Sequence, residues 1–288
     1  MKTLLAICLV LGISMSLSDF AIAQPSFQFS FKIPYGNNPK VGKYFKVNGT
    51  NLYCEIYGEG EPLLLIHGNG GTIEHMGYQI DYFSSRYKVI VPDCRGRGKS
   101  DLATDSLTYE QLSIDMIKLL DSLGIDSCDI IGWSDGGIVG LIMGMNYPAR
   151  TKKIVAMGAN IWSDTTSLSP ADIELVKVAR REANAMIMKN DKSKNWNVIY
   201  QLMALMDDQP NIKLSDLKKI KSPVLIVAGD RDIIKTEHTV LIFNNIPKSQ
   251  LWIIPGGTHF SPVEKHELFN ATVNRFLQEP YVQVVSGL

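Results

Sequence analysis

A serine between two glycines is the first feature of this chain that can do chemistry. Gly132, Ser134 and Gly136 have G-x-S-x-G spacing, between an apolar run that ends at Ile131 and a helix-compatible run that begins at Ile138. The pattern predicts a strand, a sharp turn and a helix, with the serine hydroxyl exposed at the turn. We interpret Ser134 as a candidate nucleophile, although a serine in a glycine-rich turn is also typical of a simple turn or a helix cap.

A serine hydroxyl needs a base to take its proton, and that base needs a third group to orient it. Of the five histidines, His259 is the best candidate, because it lies in a glycine-rich loop directly after the predicted strand Gln250 to Ile254. Asp230 and Asp232 both follow another predicted strand, Pro223 to Ala228. We assign the orienting role to Asp232 and a turn-holding role to Asp230, a choice that the sequence supports only weakly. Each candidate then follows a different strand.

Acyl transfer also needs backbone N–H groups directed at the oxyanion of its tetrahedral intermediate. One predicted donor is the amide of Asp135, directly after the nucleophile. The other belongs to the loop His67 to Gly71, where we assign it to Asn69 and interpret His67 as structural. The glycines of that loop either allow close approach of a ligand or simply make the turn.

Composition narrows the classes of partner. The chain has 288 residues, and its 29 Lys and Arg balance 29 Asp and Glu, which argues against nucleic-acid binding. A hydrophobic fraction of 45% and a charged fraction of 20% are typical of a globular protein with a substantial core. We therefore expect a small-molecule substrate. The composition carries no signal for an oligomeric state.

The cysteines do not form a metal-ligand cluster or a disulfide framework. Cys8 lies in the N-terminal apolar run, which leaves Cys54, Cys94 and Cys128, widely separated along the chain. Cys54 and Cys128 lie in strand-like runs and are interpreted as buried thiols. A single disulfide among the three remains an alternative in an oxidising compartment.

Residues 1–23 have the pattern of a secretory signal peptide. Lys2 precedes an apolar run from Leu4 to Leu17, and a small-residue site ends at Ala23. The pattern predicts cleavage after Ala23 and a secreted or periplasmic protein. The alternative is an uncleaved anchor, but the run is shorter than the about 20 residues of a membrane span. We expect no stable membrane span once the signal is removed.

The rest of the chain divides by its pattern. Residues 24–42 are rich in Pro, Gly and Asn and predict a loosely ordered leader. Over 43–159 and 221–279, short apolar runs alternate with helix-compatible segments, which predicts an α/β fold with a mostly parallel sheet between helices. Residues 160–220 contain no strand-like run and predict a helical cap over the strand ends, where open α/β sheets bind ligands. Alternatively, these helices only cover one face of the sheet. Residues 280–288 form a tail.

Several motifs together resemble the α/β-hydrolase superfamily over about residues 40–278. They are HGNGG at 67–71, DCRGRGKS at 93–100, GWSDGG at 132–137, GDRD at 229–232 and GGTH at 256–259. The resemblance implies an eight-stranded, mostly parallel sheet with a helical cap after the sixth strand. It also implies catalysis by Ser134, Asp232 and His259 without metal or cofactor. Haloalkane dehalogenases carry an aspartate where this chain has Ser134, which argues against dehalogenation.

Within the superfamily, GWSDGG followed by MGAN at 157–160 is similar to valacyclovir hydrolase and its relatives, which cleave α-amino-acid esters. In that family the acidic residue after the nucleophile pairs with the amino group of the substrate, and Asp135 matches its position. A carboxylate there can hold an ammonium by a charge-assisted hydrogen bond. Alternatively, the side chain faces solvent or caps the helix that follows Ser134.

We therefore expect a serine hydrolase that cleaves a small carboxylic ester, with α-amino-acid esters as one option, through an acyl-enzyme intermediate. Carbon–carbon bond hydrolysis and perhydrolysis on the same three residues are alternatives. A ligand-binding module with slow turnover is another. A protein-interaction role has no exposed apolar or charged stretch to support it.

Overall fold

A computed structural model describes residues 28–282. The predicted signal peptide, residues 1–23, lies outside the described residues, so cleavage after Ala23 and secretion stay predictions. Residues 283–288 of the predicted tail lie outside as well. Within the described range, no helix combines the length and the apolar character needed to cross a bilayer.

Eight strands form one sheet, in the order β1-β2-β4-β3-β5-β6-β7-β8. β2 pairs antiparallel with β1 and β4, and the remaining pairs are parallel. The eight-stranded, mostly parallel sheet expected from the sequence is thus confirmed. The strands are β1 (Gly42–Val47), β2 (Thr50–Tyr57), β3 (Glu61–Ile66), β4 (Tyr87–Pro92), β5 (Cys128–Trp133), β6 (Thr151–Met157), β7 (Val224–Arg231) and β8 (Ser249–Thr258).

Helices cover both faces of the sheet. Successive strand residues point to opposite faces, so Leu64 and Leu65 belong to two different apolar cores. α2 and α3 cover the first core, and α1 and α9 cover the second. The helices are α1 (Gly77–Phe83), α2 (Tyr109–Ser122), α3 (Asp135–Asn146), α4 (Pro170–Met188), α5 (Trp196–Asp208), α6 (Leu214–Leu217), α7 (Thr236–Asn245), α8 (Ser261–Glu264) and α9 (His266–Gln278).

Three helices, α4 to α6, lie between β6 and β7, in the segment 160–220 that the sequence predicts to be helical. α5 is held to the loop before α2 by Gln201, whose side-chain oxygen accepts the Leu107 N–H at 3.0 Å. The amide nitrogen of Gln201 donates to the Asp105 carbonyl at 2.6 Å. Side chains of α4 and α5 line a cavity that also contains Ser134. This is the position expected of a cap, while its boundaries at 160 and 220 remain a prediction.

Residues 24–27 of the leader lie outside the described range, and residues 28–42 differ from the prediction of a loosely ordered segment. Tyr35 is buried and packs edge-on against Tyr57, with ring centroids 5.3 Å apart. The backbone N–H groups of Gly36 and Asn38 donate to the buried Glu55 carboxylate at 2.9 and 2.8 Å. Proline, glycine and asparagine correctly indicated irregular backbone, but aromatic side chains and a buried carboxylate fix that backbone on the sheet.

Cys54, Cys94 and Cys128 are all buried and free. The interpretation of Cys54 and Cys128 as buried thiols is confirmed, and the alternative of a disulfide among the three is wrong for this structure. Burial raises the pKa of the Cys94 and Cys128 thiols to about 12, so both stay protonated and unreactive.

Candidate active site

Ser134 lies in a strained turn between β5 and α3. Its φ of 56° and ψ of −117° are unusual for a residue with a side chain. A Cβ atom on Gly132 would lie 2.1 Å from the Gly136 carbonyl oxygen, and one on Gly136 would lie 2.0 Å from that of Ile66. The two flanking glycines are therefore required by the backbone. The Ser134 N–H donates to the Met157 carbonyl at 2.7 Å and ties the turn to β6.

His259 connects the serine to an aspartate. Its Nε2 lies 3.0 Å from Ser134 Oγ, and its Nδ1 lies 2.7 Å from Asp232 Oδ1. The indole N–H of Trp133 donates to the His259 carbonyl at 2.7 Å, which anchors the base to the strand before the nucleophile. These distances allow the serine proton to pass to the imidazole.

The strand before His259 is longer than predicted. β8 was expected to end at Ile254, but it continues to Thr258, and His259 follows it directly. A Cβ atom on Gly229 of β7 would lie 2.2 Å from the Gly257 backbone. The extension of β8 thus depends on the close approach of two glycine-containing strands. From its composition alone, the segment GGTH is expected to form a loop.

Asp232, and not Asp230, reaches the histidine. The side chain of Asp232 is buried and also accepts the Ile234 N–H at 3.0 Å, whereas Asp230 is exposed on the surface. Burial alone raises the pKa of Asp232, but the His259 ring and two backbone amides outweigh it, so that this pKa lies below its ordinary value. The ionised carboxylate holds the Nδ1 proton and leaves Nε2 free to accept from Ser134.

His67 holds the loop before the predicted oxyanion donor. Its Nδ1 lies 2.8 Å from the Gly68 carbonyl, and its Nε2 accepts the Cys94 N–H at 3.0 Å. Burial lowers the pKa of His67 to about 3, so the ring is neutral and serves as a hydrogen-bonded support. A Cβ atom on Gly68 would lie 3.0 Å from the Ser134 Cβ, so this loop passes close to the nucleophile.

The carboxylate of Asp135 lies in a buried polar cluster. Its Oδ2 accepts from Arg97 Nη2 at 2.7 Å and from Asn69 Nδ2 at 3.0 Å, and its Oδ1 accepts from the Tyr109 hydroxyl at 2.8 Å. Asp135 is only 4% exposed, so the alternative of a solvent-facing side chain is wrong. The charge of Arg97 compensates that of Asp135. Recognition of a substrate amine by Asp135 stays a prediction.

Sequence reasoning assigned no role to Arg97 or Tyr109. The hydrogen bonds that join them to Asp135 span 38 and 26 positions of the chain. Arg97 lies in the DCRGRGKS motif. Its position between two glycines was the one feature of the sequence that could have indicated a role in the site. Tyr109 is fully buried, and burial followed by the charge of Asp135 raises its pKa well above the ordinary value, so it remains a donor.

A cavity of about 340 Å³ opens over Ser134 and His259. The lining is mainly apolar, and just over half of its apolar side chains come from α4 and α5. Its charged lining residues are aspartates, and among the described residues that line it there is no Lys or Arg. Of these aspartates, Asp207 pairs with Arg180 at 2.8 Å. The described part of the chain has no group of three His, Cys, Asp or Glu side chains arranged to hold a metal ion.

Comparison with known proteins agrees with this geometry. A family model described as the alpha/beta hydrolase fold matches residues 61–191. The serine hydrolase BPHL from Homo sapiens is 30% identical over 250 residues, which cover 81% of this chain and 84% of that protein. The chain belongs to the α/β-hydrolase superfamily. It is an enzyme, and the family resemblance read from its motifs is confirmed.

Two further similarities support the assignment of this hydrolase. The putative carbamate hydrolase RutD from Caulobacter sp. (strain K31) is 27% identical over 258 residues, which cover 78% of this chain and 95% of that protein. The crystal structure of the enol-lactonase from Burkholderia xenovorans LB400 has a TM-score of 0.71 at 22% identity and covers 82% of this chain and 100% of that one. The second similarity supports the fold alone.

Proposed function

We propose that this α/β-hydrolase cleaves a small, uncharged carboxylic ester through an acyl-enzyme on Ser134. The observation that carries the proposal is the hydrogen-bonded series from Ser134 through His259 to Asp232 at the floor of the cavity. A nucleophile, a base and an orienting carboxylate in this geometry are the elements of serine hydrolysis.

In the proposed reaction, His259 takes the hydroxyl proton as Ser134 attacks the ester carbonyl. The backbone N–H groups of Asn69 and Asp135 stabilise the oxyanion of the tetrahedral intermediate. His259 then gives its proton to the departing alcohol, which leaves the acyl group on Ser134. Water, activated by the same imidazole, releases the acid, and Asp232 stabilises the imidazolium in both steps.

The cavity supports the choice of substrate. Its volume, about 340 Å³, fits a small ester, and its mainly apolar lining favours hydrocarbon acyl or alcohol groups. α-Amino-acid esters remain in the panel to be tested because of the resemblance to valacyclovir hydrolases, although Arg97 already compensates Asp135. Carbon–carbon bond hydrolysis and perhydrolysis use the same three residues, so a vinylogous diketone and a peroxide-dependent halogenation assay complete the panel.

The deciding experiment replaces the nucleophile. We expect Ser134→Ala to lower kcat for p-nitrophenyl butyrate by on the order of 10⁴-fold or more, because the remaining groups have no nucleophile to activate. Ser163→Ala removes another hydroxyl from the same cavity and should keep most of the activity. Full activity of Ser134→Ala would overturn the proposal.

A fluorophosphonate separates the enzyme from a ligand-binding module. The probe should label Ser134 in the wild type and in Ser163→Ala, and it should not label Ser134→Ala. A wild-type protein that neither reacts with the probe nor hydrolyses any ester of the panel would favour the binding module.

A further inference from the structure

The Asp135 carboxylate is hydrogen-bonded to Asn69, and these two residues supply the proposed oxyanion donors. The Asp135 cluster consists of Asp135, Asn69, Arg97 and Tyr109, and all of these but Arg97 line the cavity that contains Ser134. Asp135 is the first residue of α3, and its Oδ2 accepts the side-chain amide of Asn69 at 3.0 Å. The backbone amides of these two residues are the proposed donors, so their relative position depends on this hydrogen bond.

The cluster also links separate parts of the fold. The side-chain amide of Asn69 lies 3.3 Å from the Leu202 carbonyl in α5, which brings the helical segment into contact with the donor loop. Tyr109 holds Asp135 from the start of α2. Arg97 comes from the loop after β4, where its Nη1 donates to the Arg95 carbonyl at 3.1 Å.

The positive charge of Arg97 makes this residue indispensable to the Asp135 cluster. The side chains of Arg97 and Asp135 are 2% and 6% exposed, and a lone carboxylate at such a site is strongly disfavoured. The other titratable groups facing the carboxylate are Tyr109 and Cys94. Burial raises the pKa of both, so both stay neutral and neither changes the charge balance of the cluster. In the described part of the chain, Arg97 is the cation paired with Asp135.

We propose that Arg97 is a positioning residue, which keeps the Asp135 carboxylate ionised and bound to Asn69 and thereby fixes both N–H donors of the oxyanion hole. This inference rests on the proposed serine hydrolase function. It replaces recognition of a substrate amine as the role of the Asp135 side chain. Arg97 acts through Asp135 and Asn69 and need not touch the substrate.

The test compares Arg97→Met with the double variant Arg97→Met/Asp135→Asn, using p-nitrophenyl butyrate as the substrate. We expect Arg97→Met to lower kcat by on the order of 10²-fold with little change in KM, as expected for a lost oxyanion donor. The uncompensated carboxylate left beside the oxyanion contributes to this loss, because it repels the negative charge that develops there.

The double variant tests the electrostatic step. It has no carboxylate at position 135, so its kcat should exceed that of Arg97→Met. Arg95→Met is the matched structural control, because Arg95 lies in the same motif, forms a fully buried ion pair with Asp115 and does not contact Asn69. It should lower the free energy of unfolding and leave kcat unchanged. Rates are expressed per active site, counted by fluorophosphonate labelling.

Two results would overturn the inference while the proposed function stands. In the first, the wild type hydrolyses the ester and is labelled, but Arg97→Met keeps its kcat. In the second, the wild type prefers an α-aminoacyl ester over its des-amino analogue and Asp135→Asn loses that preference, which would show that Asp135 binds an amine. Failure of the wild type to hydrolyse or react with the probe concerns the proposed function instead.

Discussion

A residue without a side chain fixes the position of the proposed base. Gly158 has a φ of +61°, and a Cβ atom there would lie 2.7 Å from His259 Cε1 and 2.8 Å from its Nδ1. Gly158→Ala should displace the imidazole from Ser134, and a displacement of about 1 Å costs on the order of 10²-fold in rate. We therefore expect kcat/KM for p-nitrophenyl butyrate to fall by about that factor.

Gly124→Ala is the control for backbone strain. Gly124 has a similar φ of +64°, and a Cβ atom there would meet nothing within 4 Å. Both variants should lose about 1 kcal/mol of stability from the unfavourable φ, but Gly124→Ala should keep full activity. Equal loss of activity in the two variants would show that strain, and not contact with the imidazole, is responsible.

The sequence could predict those residues of the candidate site that directly follow strands. Ser134, Asp232 and His259 each come directly after a strand, and parallel strands bring such positions to one edge of the sheet. Arg97 and Tyr109 could not be found in this way, because their partnership with Asp135 depends on packing between distant elements. The sequence left three interpretations of the Asp135 side chain, and none of them included the buried cluster with Arg97.

At the scale of elements, the leader depends on one buried carboxylate. Glu55 of β2 accepts the N–H groups of Gly36 and Asn38 and the hydroxyls of Tyr53 and Tyr57 at 2.7 to 2.9 Å. Glu55→Gln places an amide NH₂ where an acceptor oxygen faced these donors. We expect the free energy of unfolding to fall by about 2–4 kcal/mol, since buried donors lose a charged partner.

Denaturant unfolding measures this effect, and Glu59→Gln is its control. Glu59 lies four residues further along in an exposed turn, so its replacement should change stability by less than about 0.5 kcal/mol. Limited proteolysis should also cut Glu55→Gln between residues 28 and 41 faster than the wild type. Identical unfolding and cleavage of the two variants would refute the role of Glu55.

The elements that the sequence predicted well are those set by local pattern. Apolar runs located the strands of the sheet, because strands buried on both faces need continuous hydrophobic sequence. The end of β8 and the packing of the leader were missed. The first depends on glycines of two strands approaching each other, and the second on aromatic packing and a carboxylate distant in sequence, and neither has a periodicity to detect.

On the scale of the whole molecule, the sheet and the helical segment contribute different parts of the candidate site. The strand ends carry Ser134, Asp232 and His259, while α4 and α5 supply most of the apolar lining of the cavity. Gln201 and the contact of Asn69 with Leu202 hold α5 over those strand ends. Under the proposed function, the sheet would therefore position the reacting groups, and the helices would contribute to the choice of substrate.

The charge of the cavity predicts which esters the enzyme accepts. Asp135 and Asp207 are paired with arginines, and Asp172 of α4 adds a carboxylate at the lining. An anionic acyl group would leave water for a mainly apolar cavity whose described lining has no Lys or Arg. We expect kcat/KM for p-nitrophenyl monosuccinate to be about 10²-fold below that for p-nitrophenyl butyrate, a difference of about 3 kcal/mol.

Asp172→Asn tests the origin of this discrimination. Removal of one negative charge should raise kcat/KM for the monosuccinate several-fold and change that for the butyrate little, because like charges a few ångströms apart repel by up to about 4 kcal/mol near a protein surface. High salt should have less effect inside the cavity than on exposed charges. Equal kcat/KM for the two esters in the wild type would mean that a cation reaches the bound acyl group, and the assignment of an uncharged substrate would then be wrong.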